Sequence, residues 1–148
     1  MKQNKFLLAT IALVFIAFAT TSWVRPPTPA AKPTAVTITG VYDFSTFPFV
    51  WGTFTTSGAL TISGAATMHL DCPANPIRPD GTICHCVVRL IASDNSGTIV
   101  IHQECQFATS PAKGRWEIVS GTGAYANLNG NGSLTMPPDT EAMTGVIY

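Results

Sequence analysis

The sequence predicts an all-β fold, and three observations support this prediction. About nine short segments rich in β-branched and aromatic residues are separated by turns that contain glycine. No segment keeps an apolar period of 3.6 residues, so we expect little helix. Only 11% of the residues are charged, while threonine, serine, glycine and alanine are abundant, as is typical of a small extracytoplasmic β domain. The architecture is therefore a sandwich or a closed barrel.

The N-terminus, residues 1–19, is predicted to be a signal peptide. Lys2 and Lys5 precede the apolar run Phe6–Phe18, and small residues then provide a cleavage site. The run has 13 residues, fewer than the ~20 needed to cross a bilayer, so cleavage is favoured over the alternative of a retained anchor. We expect a secreted or periplasmic protein with no stable membrane span after cleavage.

Residues 20–33 are predicted to be a proline-rich linker, because four prolines lie within Ser22–Pro33. A proline-rich ligand for a partner domain is the alternative reading. The folded domain then covers residues 34–148, and the length allows one domain. Loss of Lys2 and Lys5 leaves six basic and eight acidic residues. With no basic patch, nucleic acid is excluded as an expected partner.

The folded domain is predicted to alternate strands with irregular turns. Cys72–Gly81 contains three prolines and must be a loop, since proline blocks a central strand. Ser93–Gly97 carries a strong turn pattern. Glycine tolerates the backbone conformations of a chain reversal, so four glycines are predicted to form turns: Gly121, Gly123, Gly130 and Gly132. The predicted strands are residues 35–42, 49–56, 59–62, 65–71, 82–92, 98–107, 115–119, 133–136 and 141–148.

Four cysteines behind a signal peptide predict two disulfides: Cys72, Cys84, Cys86 and Cys105. Three connectivities are open, and the register of the central hairpin discriminates among them. A turn at Asp94–Gly97 would place Cys86 opposite Cys105 on an apolar face. We therefore predict a Cys86–Cys105 bridge, with Cys72–Cys84 closing the proline loop.

A metal site built from Cys84-His85-Cys86 with Cys72 or Cys105 is the alternative for these cysteines. Successive strand residues point to opposite faces, so His85 cannot easily join both sulfurs around one ion. The spacing also differs from that of common zinc knuckles. Disulfides are favoured, and we predict no metal and no cofactor.

The opposite face of this hairpin supplies the candidate ligand-binding residues: His85, Arg89, His102 and Glu104. In the predicted register, Arg89 lies opposite His102 and diagonal to Glu104, within reach of an ion pair. The favoured interpretation is a solvated outer face. The alternative is a barrel mouth in which His102 acts as acid or base and Glu104 orients it. We assign no catalytic residue.

The stretch Trp116–Gly132, WEIVSGTGAYANLNGNG, resembles the signature of allene oxide cyclase-like and dirigent-like β-barrels, with Ser120 in place of the first glycine. Gly52–Leu60 and Ser63-Gly64 are similar to the early hairpin of that family. The resemblance implies a single antiparallel barrel of eight strands. Plant members of the family act on hydrophobic small molecules, and the style of the signal peptide and the linker indicate a bacterial exported relative of them. It transfers no catalytic residue to this chain.

Two functions follow from the sequence as hypotheses. The first is an exported barrel that binds a small hydrophobic molecule or a partner without catalysis, and that leaves room for a homo-oligomer. The second is an isomerase or cyclase acting on an oxylipin-like or phenolic ligand. The second hypothesis requires an ionisable group with a shifted pKa in a pocket at one barrel end, with Glu104 or His102 as the expected group.

Overall fold

A computed structural model describes residues 31–73, 83–107, 110–137 and 140–148. The predicted signal peptide and most of the predicted linker lie outside these residues. The first strand begins at Thr34.

Eight antiparallel strands form one closed barrel, in which each strand pairs with its neighbours in sequence. The first and last strands close the ring, with pairs running from Thr34 opposite Ile147 to Val41 opposite Thr140. A sandwich is thereby excluded, and the predicted eight-stranded antiparallel barrel is confirmed. The strands are β1 (Thr34–Asp43), β2 (Phe49–Gly58), β3 (Ser63–Asp71), β4 (Ile83–Ala92), β5 (Thr98–Gln106), β6 (Ala112–Gly121), β7 (Gly130–Met136) and β8 (Thr140–Ile147).

The predicted strand at residues 59–62 is wrong, because this segment connects β2 to β3. Its polar groups are held by the side chain of Thr56. The Thr56 hydroxyl donates to the carbonyl of Leu60 at 2.9 Å and accepts from the amide of Ile62 at 2.9 Å. A local side-chain bond of this kind offers the backbone an alternative to a strand ladder.

Side chains alternate between the barrel interior and its outer surface, as the two-residue period of a strand requires. On β4, for example, Cys84, Cys86, Val88 and Leu90 are buried while the residues between them are exposed. The buried side chains form one continuous apolar core. In the described residues, this core contains only three buried polar or charged residues: Thr56, Gln103 and Glu141.

Two glycines make room for Trp116 in the core. Trp116 of β6 lies opposite Gly132 of β7, which in turn lies opposite Gly145 of β8. The indole of Trp116 crosses these small positions and its Nε1 donates to the carbonyls of Ser133 and Thr144, at 3.1 and 3.3 Å. The prediction that Gly130 and Gly132 form a turn is therefore wrong, since both lie within β7. Glycine in a strand here marks the close approach of a large side chain.

The hairpin between β4 and β5 has a different register from the predicted one. Cys84 lies opposite Cys105, and Cys86 lies opposite Gln103. The turn has four residues, since Ala92 donates its amide to the carbonyl of Gly97 at 3.1 Å. Compared with the prediction, the pairing slips by two residues, so every side chain keeps its predicted face but changes its partner.

Contacts with a distant segment explain why the four-residue turn is displaced by one position from the predicted Asp94–Gly97. Asn95 adopts a left-handed φ of 60°. The amide of Ala124 donates to the carbonyl of Ser96 at 2.8 Å. A Cβ on Gly123, whose φ is +59°, would lie 2.2 Å from that same carbonyl. The 3₁₀ turn Gly123–Tyr125 thus packs directly on the hairpin turn, and the local sequence of the hairpin does not reveal this contact.

One of the two predicted disulfides is present. Cys72 and Cys84 are bonded, as predicted for the start of the proline loop. The second predicted bond, Cys86–Cys105, is not formed in the structure, which has both residues as free thiols. Their Sγ atoms are 3.9 Å apart, since the two-residue slip makes these residues diagonal neighbours rather than direct partners.

We expect Gly145→Ala to destabilise the barrel by about 1–3 kcal/mol, the usual cost of overpacking. The new Cβ would lie 2.1 Å from the carbonyl oxygen of Asn131 and 2.8 Å from Cζ2 of Trp116, so strands β7 and β8 would have to separate. Urea unfolding measures the change, with the neighbouring exposed substitution Thr144→Ser as the control. Equal stability of wild type and Gly145→Ala would contradict this packing.

Candidate functional site

A concave depression of about 540 Å³ lies on the outer surface of strands β4 to β7. Its walls are the outward side chains of two adjacent rows across the sheet. One row contains His85, Glu104 and Arg115, and the next contains Val87, His102, Glu117 and Asn131. The backbone between these rows supplies the floor. Its volume is within the range of small-molecule sites.

The structure brings together three of the four candidate ligand-binding residues, and they lie outside the barrel. His85, His102 and Glu104 line the depression, whereas Arg89 does not. The interpretation as a solvated outer face is the correct one, since His85 and His102 are exposed. The alternative, in which His102 and Glu104 lie inside a barrel mouth, is wrong.

The charged partners in this depression differ from the predicted ones. Glu104 pairs with Arg115 of β6, with Nε at 2.7 Å and the terminal nitrogen at 2.6 Å from Oε2. The predicted pair of Glu104 with Arg89 is wrong, because Arg89 lies opposite Val100 in the observed register. The Arg115 side chain is 76% exposed, so this ion pair contributes at most about 1 kcal/mol. Because Arg115 pairs with Glu104, the second carboxylate of the depression, Glu117, has no ion pair in the described part of the chain.

A second polar cluster lies inside the barrel and was not predicted. Tyr42 of β1 donates its hydroxyl to Oε2 of Glu141 at 3.1 Å. Glu141 has no exposed surface. A Cβ on Gly40 would lie 2.5 Å from Cε2 of Tyr42, so the missing side chain at Gly40 gives the tyrosine ring its place. Glu141 is the second residue of β8 and Tyr42 the last but one of β1, which places the cluster near one end of the barrel.

Amide and sulfur groups of the core surround this carboxyl. The Nε2 atom of the Gln103 amide lies 3.2 Å from Sδ of Met143, and the Oε1 atom of Gln103 lies 3.9 Å from the Cys105 thiol. In the described residues, Oε1 of Glu141 is the one buried side-chain oxygen or nitrogen that lacks a hydrogen-bond partner. An unpaired buried polar atom costs roughly 1–3 kcal/mol, so its presence calls for a physical reason.

Burial shifts the acidity of this cluster strongly. Removal from water raises the pKa of Glu141 from its ordinary 4.5 to about 7, although the hydrogen bond from Tyr42 and the polar amide of Gln103 favour the charged carboxylate and oppose this change. Burial, followed by the nearby charge of Glu141, also raises the pKa of Tyr42. The barrel interior therefore holds a carboxyl that can gain or lose a proton near neutral pH.

An aromatic strip, formed by Phe47, Phe49 and Trp51, lies on the outer surface away from the depression. The three side chains are about 60% exposed. The ring of Phe49 stacks on the imidazole of His69, with centroids 4.6 Å apart. Exposed apolar groups that are contiguous are common at interaction surfaces.

Metal ligands in a cluster and membrane-spanning helices are both absent from the ranges that the structure describes. Within them, no three His, Cys, Asp or Glu side chains are grouped as metal ligands. The same ranges contain no helix of sufficient length and hydrophobicity to span a membrane. The Cys72–Cys84 disulfide is compatible with an extracellular or periplasmic location.

Fold and surface together define a small closed β-barrel with an outer depression and one buried carboxyl. A family model described as "Protein of unknown function (DUF3224)" matches residues 51–144. The chain belongs to this family, because the match covers more than half of its length. Comparison with curated proteins and with solved structures finds no match. Nothing in these comparisons supports the allene oxide cyclase-like and dirigent-like families that the motif resembles, although the eight-stranded barrel implied by that resemblance is present.

The buried carboxyl should make folding stability depend on pH. The folded protein keeps the Glu141 proton between pH 4.5 and about 7, whereas the unfolded chain loses it, so the contribution of Glu141 to stability is greatest below pH 4.5 and falls until about pH 7. The shift of roughly 2.5 pKa units corresponds to about 3 kcal/mol. Urea unfolding at several pH values should show this decrease for wild type.

Glu141→Gln is the matched control, because the amide keeps the shape of the carboxyl without titrating. We expect the difference in unfolding free energy between this variant and wild type to change by that amount between pH 4.5 and 7. A difference that stays constant over this range would show that Glu141 titrates normally and is hydrated.

Proposed function

We propose that this protein binds a small molecule, without chemical change, in the outer depression on β4 to β7. The observation that carries the proposal is the concave surface of about 540 Å³ that gathers two imidazoles, an ion pair and an unpaired carboxylate around Val87. Binding sites of this size usually combine apolar contact area with a few polar groups that fix orientation. We further propose that the barrel acts outside the cytoplasm.

The charges of the depression favour a ligand that has an apolar body and a cationic group. Glu104 and Glu117 contribute two negative charges, and Arg115 contributes one positive charge. Because Arg115 already pairs with Glu104, the unpaired Glu117 is the natural partner of an ammonium group. Val87, which is 41% exposed, offers apolar surface beside it.

Phenethylamine and phenylacetate are suitable probes, since they match in size and differ in charge. In titrations followed by ¹⁵N NMR, we expect phenethylamine to shift amide signals of β4 to β7 and phenylacetate to shift them less. Glu117→Gln should weaken binding of the amine about 5- to 10-fold, the usual range for losing one charged contact. Arg89→Ala is the control on the same sheet outside the depression and should leave binding unchanged.

Absence of amide shifts with both probes would refute small-molecule binding at this surface. Shifts confined to the Phe49 and Trp51 region would instead assign binding to the aromatic strip, and Trp51→Ala should then abolish them. Equal weakening by Arg89→Ala and Glu117→Gln would show general surface attraction rather than a site.

A second candidate function is acid–base chemistry on an oxylipin-like or phenolic ligand, as in an isomerase or cyclase. The buried carboxyl of Glu141, with its pKa near 7 and its unpaired Oε1, favours this candidate. A general base works best when its pKa lies near the operating pH. Because Glu141 has no exposed surface, this candidate requires the nearby end of the barrel to open for the ligand. Oε1 would then remove a proton from a carbon next to a carbonyl group and return it at another position. The Tyr42 hydroxyl would hold the other carboxyl oxygen.

Exchange of the α-hydrogens of cyclopentanone for deuterium tests this candidate in D₂O by NMR. A Glu141-dependent site should accelerate exchange, and Glu141→Gln should remove the acceleration. Glu104→Gln, on the outer surface, should have no effect. If wild type and Glu141→Gln exchange the ketone at the same rate, the carboxyl does not act as a base.

A further inference from the structure

Two cysteines lie close together on the inner wall of the barrel. Cys86 of β4 and Cys105 of β5 point inward, with 1% and 0% of their surfaces exposed. Their Sγ atoms are 3.9 Å apart and the residues are diagonal neighbours across adjacent strands. Cys84, the direct partner of Cys105 in the sheet, is already bonded to Cys72. Cys86 is therefore the cysteine that remains for Cys105.

We propose that Cys86 and Cys105 are an oxidation site, at which a disulfide-containing oxidant closes a second disulfide before the barrel closes. The oxidant is a soluble disulfide or a dithiol–disulfide oxidoreductase of an oxidising compartment. The free thiols of the structure are then the reduced form of the pair. This modification is independent of ligand binding at the outer depression.

The chemistry proceeds by two exchange steps. One cysteine loses its proton, and its thiolate attacks the oxidant's disulfide, which forms a mixed disulfide and releases one thiol of the oxidant. The thiolate of the other cysteine then attacks the protein sulfur of that mixed disulfide and displaces the second thiol. Two electrons and two protons pass from the cysteine pair to the oxidant, and one sulfur–sulfur bond forms.

The closed barrel blocks this reaction in two ways. First, an oxidant cannot reach sulfur atoms that have almost no exposed surface. Second, the hydrogen bond with Cys86 and burial both raise the pKa of Cys105, which lowers the amount of reactive thiolate. The sulfurs must also approach from 3.9 Å to about 2.0 Å. The diagonal placement makes this approach easier while β4 and β5 are still pairing than after the barrel has closed.

The number of disulfides should therefore depend on when the oxidant is present. In one sample, the fully reduced and unfolded full-length chain is refolded with oxidised glutathione. In the other, protein that has already folded with only the Cys72–Cys84 bond receives the same oxidant. Mass spectrometry and peptide mapping then count and locate the disulfides.

We expect the first sample to lose four hydrogens and to yield a peptide pair linked through Cys86 and Cys105. The second sample should stay at a loss of two hydrogens, with formation of the second bond at least about tenfold slower, because the reaction requires opening of the barrel. Cys86→Ser and Cys105→Ser should each stop at the Cys72–Cys84 bond under both conditions.

Lack of the linked peptide in the first sample would overturn the proposal, as would a product in which Cys86 is joined to Cys72 or Cys84. Equal rates in the two samples would refute the requirement for an open barrel. Because the decisive samples are wild type, poor folding of a serine variant does not affect the outcome.

Discussion

The pairing of β1 with β8 closes the sheet into a barrel, and both the buried core and the outer surface require this closure. Eight pairs, from Thr34 opposite Ile147 to Val41 opposite Thr140, join the two ends of the chain's folded part. Without this pairing, the barrel would have two open edges, whose unpaired backbone groups favour aggregation. Closure also brings Tyr42 of β1 to Glu141 of β8, residues that are 99 positions apart in sequence.

Closure divides the side chains into two sets with different chemistry. Inward residues lie in a dry core in which a carboxyl shifts its pKa to about 7 and a thiol becomes hard to ionise. Outward residues, such as His102 and Glu104, interact in water, where an ion pair with Arg115 is weak. The outward side chains therefore suit reversible binding of a small molecule. A chemical step that needs a group with a shifted pKa would have to use the inward side chains.

Much of the fold follows from local sequence patterns. The alternation of residues along β4 and β5 correctly assigns Cys86 and Cys105 to the interior and His85 and His102 to the outer surface, because a strand repeats every two residues. The same pattern cannot distinguish two registers that differ by two residues, since the same side chains point inward in both. Here the contact of the hairpin turn with Gly123 and Ala124 decides the register.

Fewer residues of the candidate site than of the fold can be predicted from the sequence. His85, His102 and Glu104 could be identified because they share a strand face, but Arg115 and Glu117 come from β6, whose position depends on the whole barrel.

Glu141 was missed because a lone acidic residue near a chain end resembles a surface residue. Gly40 offered a signal in retrospect, since a glycine inside a strand often marks the close approach of another group, in this case Tyr42.

NOEs across β1 and β8 are the strongest experimental check that these two strands close the barrel. We expect backbone NOEs between residues such as Ile38 and Met143, together with slow amide exchange along both strands. Absence of these NOEs, with fast exchange of β1 and β8 amides while β2 to β7 remain protected, would contradict closure. The buried contact of Tyr42 with Glu141 could not then exist.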